Sequence, residues 1–103
     1  MIGIGKWAFS IDTMMFRGDA VLTIEDKDGA YAFSVEVKDL TVPGYEVVNV
    51  KEDGSTLTAD IKTVVLPGKE IPISLTFEGD TLTGFAKVPL LGKIKLKNGR
   101  KVG

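Results

Sequence analysis

Residues 71–88 read IPISLTFEGDTLTGFAKV, and the period of this stretch decides the fold. Ile71, Ile73, Leu75 and Phe77 alternate with Pro72, Ser74, Thr76 and Glu78. Strict apolar/polar alternation describes a strand with one face on a core and one in water. Glu78-Gly79-Asp80 interrupts it with hairpin chemistry. The alternation then resumes with Leu82, Gly84, Ala86 and Val88 inward and Thr83, Phe85 and Lys87 outward.

Working outward in both directions, the same period recurs. Leu57, Ala59, Ile61 and Thr63 form one inward row, and Tyr31, Phe33, Val35 and Val37 another. Ile94 and Leu96 lie between Lys93, Lys95 and Lys97, and Trp7, Phe9 and Ile11 open the chain. Ala20, Leu22 and Ile24 supply a weaker row, while in 45–51 the run Val47, Val48 and Val50 fits neither phase cleanly. No window keeps apolar residues at helical spacing, because Gly or Pro interrupts each candidate. Seven turns, at Arg17-Gly18, Asp28-Gly29, Pro43-Gly44, Asp53-Gly54, Pro67-Gly68, Glu78-Gly79 and Leu91-Gly92, separate eight strands. The expected fold is all-β: an eight-stranded antiparallel up-and-down β-barrel, whose closure removes both sheet edges. At 103 residues the chain reads as one domain, 1–103.

The turns sort into two kinds. Those at 25–29, 52–55 and 78–80 are tight and polar. Those at 13–17, 40–44, 64–68 and 88–92 are apolar, carrying Met14, Met15 and Phe16, then Leu40, then Leu66, then Leu90 and Leu91. Odd and even turns fall at opposite ends of such a barrel, so one end is wet and the other apolar. An apolar rim over an apolar interior points to a small hydrophobic ligand, held by Met14, Met15, Phe16, Phe33, Leu40, Leu66, Leu90 and Leu91. Methionine suits an adaptable rim.

Composition narrows the chemistry. The chain has no cysteine and no histidine, which removes disulfides, Cys/His metal sites, thiol nucleophiles and Ser–His pairs. No cofactor or metal is expected. The formal net charge of −1 argues against a general nucleic-acid binder. No apolar run is long enough to span a membrane, and no charged leader with a long apolar core precedes Trp7; the expected location is the cytoplasm. Acidic residues stop at Asp80, whereas Lys87, Lys93, Lys95, Lys97, Arg100 and Lys101 follow. Alternating lysines are the ordinary means of keeping a strand face in water. No carboxylate pair falls on an inward row, and Tyr31 and Tyr45 have no evident partner, so binding is favoured over catalysis.

Gly5-Lys6-Trp7 resembles the Gly-x-Trp signature that opens the first strand of the calycins, the lipocalins and fatty-acid-binding proteins. The resemblance implies an eight-stranded barrel closed near its termini and open at the far end. It also implies a late basic residue packed over the Trp, for which Arg100 is the match. Gly5, Trp7 and Arg100 are then structural closure residues. The chain is short for a lipocalin, has no cysteine pair, and lacks both a helical lid and an interior Arg/Tyr cluster for a carboxylate. Small bacterial lipocalin-like domains are the most similar group. The second reading is a packed barrel whose apolar loops form a protein interface, including a homodimer, and a barrel-type cyclase or isomerase is a distant third.

Overall fold

The computed structural model describes residues 1–13 and 17–103. Met14, Met15 and Phe16 of the expected rim lie outside the described residues. The described residues contain no helix, and so none long and apolar enough to cross a membrane. The strands are β1 (Gly5–Asp12), β2 (Arg17–Lys27), β3 (Ala30–Val37), β4 (Tyr45–Asp53), β5 (Thr56–Thr63), β6 (Glu70–Glu78), β7 (Thr81–Val88), β8 (Gly92–Lys95) and β9 (Lys97–Lys101). They pair antiparallel in the order β3-β2-β1-β9-β7-β6-β5-β4, with β8 continuing on β7. The result is a nearly closed, barrel-like sheet.

The expected eighth strand is therefore two pieces. Ser10 pairs with Lys97, yet Ala8 pairs with Arg100, so two residues along β1 are matched by three on β9. The extra residue is accommodated where Asn98 takes a left-handed φ of 55°. Such a β-bulge reverses the facing of everything beyond it. A second bulge explains the ambiguous run 45–51. Val48 pairs with Asp60 but Lys51 with Thr58, around Asn49 at φ 56°. Val47 lies opposite Ile61 and Glu52 opposite Leu57. Two inward phases are thus joined out of step, which no single alternation could describe.

First and last strands pair, as the period-two pattern requires for closure, but the sheet opens elsewhere: β3 and β4 share no ladder. The intervening loop, 38–44, is not a hairpin. Lys38 N still donates to Asp19 O of β2 at 2.9 Å, and Leu40 N turns back to Val37 O at 3.2 Å. Asp39 then takes φ 60°, and Pro43 has no N–H to offer a ladder. Gly44 instead accepts from Val64 N at 3.3 Å, tying the loop to the far side. Side chains bridge the seam in place of backbone. Tyr31 of β3 donates to Glu52 of β4, and Tyr45 OH of β4 accepts from Val35 N of β3 at 3.1 Å.

The core occupies the end holding the polar turns. Trp7, Phe9, Ala20, Ile24, Leu57, Leu75, Phe77 and Leu82 form one buried cluster, with Ile24 fully enclosed. Residues 1–4 fold across this end: Ile2 N donates to Tyr31 OH at 2.8 Å and Trp7 Nε1 to Gly3 O at 2.9 Å. Gly3 is at φ 71°, and a Cβ there would sit 2.5 Å from Phe77 Cζ. Only glycine lets the segment lie this close to the ring.

A candidate apolar cavity

Above that floor the inward rows do not meet. Phe9 and Ile11 of β1, Leu22 of β2 and Phe33 and Val35 of β3 face Tyr45 and Val47 of β4 across an unfilled space. Ile61, Ile71, Ile73, Ala86 and Leu96 complete the wall. The loops contribute Val42 and Pro43 from one side and Val65 from the other, placing the cavity toward the end with apolar turns. Its volume is about 320 Å³, at the small end of the range for ligand sites of roughly 300–1,000 Å³.

Among the described residues no charged side chain lines this space. At its edge Thr63 Oγ1 donates to Gly44 O at 3.1 Å, and Tyr45 OH accepts from Val35 N, which leaves the phenol hydrogen as a donor. An ionised group buried in the apolar interior would lose its hydration with no charged partner among the described residues, which is costly. The cavity can therefore select by shape and apolar area. Among the described residues no three Asp or Glu side chains are grouped to hold a metal ion.

Of the residues named from sequence, Phe33 lines the cavity. Leu40 is exposed in the loop after β3, and Leu66 is half-buried in an outer turn beside Lys62 and Lys69. Leu90 is completely exposed and Leu91 half so, near Lys93 and Ile94 on the outside. None of these four leucines reaches the cavity. In the two turns that do contribute, the lining residues are Val42, Pro43 and Val65. Turn polarity identified the end of the barrel but not which member of each turn bends inward.

The expected stacking of Arg100 on Trp7 is not found. Without the bulge at Asn98, Trp7 would lie opposite Arg100; with it, Trp7 lies opposite Lys101 and Arg100 opposite Ala8. Arg100 is exposed on the outer face, where its guanidinium donates to Asn98 O at 3.0 Å. Trp7 is 2% exposed and packs on Phe77 instead, with ring centroids 4.9 Å apart and tilted by 56°. The cation over a ring is Lys93, 4.1 Å from the Phe85 centroid on the outer face. Gly5, at φ 131°, faces a close backbone approach: a Cβ there would lie 2.6 Å from Gly103 O.

Sequence reasoning also missed the partner of Tyr31. Glu52 sits beside a polar turn and reads as solvated, but the Asn49 bulge turns it toward the floor. Burial, then the hydrogen bond to Glu52 and that residue's charge, hold the Tyr31 phenol above the ordinary tyrosine value of 10.0. The Met1 ammonium lies 3.9 Å from the same carboxylate. This cluster holds the seam at the floor end. Compared with protein-family models, with curated proteins and with solved structures, the chain matches none.

Proposed function

We propose that this protein binds a small, uncharged apolar molecule, or the apolar part of a larger one, without chemical conversion. The observation that carries the reading is the cavity of about 320 Å³, with no charged side chain among its described lining residues. The calycin resemblance remains part of the proposal. A barrel-like sheet with its tryptophan on the first strand supports it, and the outward position of Arg100 does not.

The structure supplies the discriminating variant. Val47 lies on the cavity wall opposite Ile61, so Val47→Trp occupies the space that a ligand needs. Thermal unfolding is recorded with long-chain alcohols, retinol, steroids and the fatty acids of matching length. At a ligand concentration a hundredfold above Kd, stabilisation is about 2.7 kcal/mol, about ten degrees or more in Tm for a chain of this size. Neutral ligands raise the Tm of the wild type and leave folded Val47→Trp unchanged. Fatty acids bind more weakly than the alcohols, since no cation among the described lining residues meets the carboxylate. No response to any of these, with native mass spectrometry showing no retained apolar molecule, overturns the proposal.

A further inference from the structure

Among the described residues that line the cavity, Ser34, Tyr45 and Thr63 carry hydroxyls. Ser34 stands between Phe33 and Val35 on β3, and successive side chains of a strand leave opposite faces. Phe33 and Val35 line the cavity and Ser34 is exposed, so its hydroxyl lies on the outer face. Thr63 Oγ1 commits its one hydrogen to Gly44 O. Tyr45 differs. Its phenol oxygen accepts from Val35 N at 3.1 Å, and no acceptor for its own hydrogen is found among the described residues. Tyr45 opens β4 directly after Val42, Pro43 and Gly44, at the end with apolar turns, and is 36% exposed. From there it reaches across the seam to β3, which puts the donor at the mouth. Phe9 and Leu75, by contrast, close the deep end and are buried.

We infer that Tyr45 is the specificity-determining residue of the cavity: it selects apolar molecules that end in a neutral carbonyl (a ketone, aldehyde or ester), bound with the hydrocarbon inward and the oxygen at the phenol. The inference rests on the cavity reading and specifies its ligand class. A carbonyl accepts and cannot donate, which matches a phenol whose oxygen is engaged by Val35 N and whose hydrogen is not. Placed deeper, the same oxygen would be desolvated among Phe9, Leu22 and Leu75 with no side-chain donor to meet it. The orientation follows from that difference. A carboxylate would accept from the phenol too, but one neutral donor does not offset the desolvation of a charge.

A matched pair of ligands isolates the donor: a long-chain methyl ketone, and the hydrocarbon in which a methylene group replaces the carbonyl oxygen. Isothermal titration of the whole chain measures both, in the wild type and in Tyr45→Phe. The substitution is expected to lower the ketone's affinity relative to the hydrocarbon's by about two- to tenfold. Loss of a merely structural brace on Val35 would weaken both ligands alike. The infrared carbonyl band of the bound ketone is a second readout, and it needs no variant. In the wild type it is expected below its frequency in an alkane solvent, and Tyr45→Phe should move it back. An affinity ratio that Tyr45→Phe leaves unchanged overturns the inference, as does a wild-type band at the alkane frequency, and the cavity proposal survives either result. If neither ligand binds the wild type, or if folded Val47→Trp still binds both, the cavity proposal falls and this inference with it.

Discussion

Replacing Gly99 by alanine probes the bulged register of the last strand. Gly99 lies directly opposite Leu82, whose side chain is 1% exposed at the centre of the core. A Cβ on Gly99 would fall 2.1 Å from Leu82 O and 2.9 Å from both its carbonyl carbon and its Cβ. Backbone atoms of a central strand cannot swing aside as a flexible side chain would, so β9 must separate from β7. Overpacking a well-filled core costs about 1–3 kcal/mol, and loss of ladder bonds adds about 1 kcal/mol for each. Gly99→Ala is therefore expected to lose about 3 kcal/mol or more, against a total of about 5–15 kcal/mol for a domain. Arg100→Ala, one residue on, removes an exposed side chain and is expected to stay within about 0.5 kcal/mol of wild type. Urea denaturation followed by the fluorescence of Trp7, the chain's one indole, measures both. If the register lacked the bulge, the ranking would change: Arg100 would face Trp7, and its loss would cost about 0.5–2 kcal/mol. A near-neutral Gly99→Ala together with a costly Arg100→Ala refutes the assignment.

Other consequences follow from the seam and the floor. Tyr31 is held neutral in the fold, so its stabilisation is complete below the unfolded phenol pKa of 10.0 and is lost as pH rises through the higher folded value. Ultraviolet titration should show a late tyrosine ionisation that Tyr31→Phe abolishes, along with part of the alkaline loss of stability. Tyr45→Phe leaves Val35 N without its side-chain acceptor and is expected to cost about 1 kcal/mol or less, with amide exchange at Val35 accelerated more than at the laddered Leu57. Leu57→Ala, at a position 2% exposed, is expected to cost about 2.7–5 kcal/mol by urea denaturation. Ala86→Val adds volume at the cavity wall, and should weaken ligand-induced thermal shifts while leaving unliganded Tm unchanged or higher.

Much of the architecture was legible because a strand's facing depends on local period alone. Trp7 and Phe9, Leu57 and Ala59, and Leu75 and Phe77 could be placed inward by counting alternate residues, since each pair lies on an unbroken run. The polar and apolar turns likewise distinguished the two ends. Counting fails where a residue is inserted without a chemical mark. Asn49 and Asn98 bulge because neighbouring strands must stay in register elsewhere, and an isolated asparagine does not announce that choice. Those two bulges turned Glu52 toward Tyr31, and Arg100 away from Trp7. The seam is also a tertiary decision. The loop 38–44 reads as another turn, yet its bonds to β2 and to Val64 hold β4 off β3, and the cavity occupies the space this leaves. Local alternation determined which residues could face a core, whereas whether opposing rows would meet depended on strand spacing around the whole sheet, a quantity that no stretch of chain carries by itself.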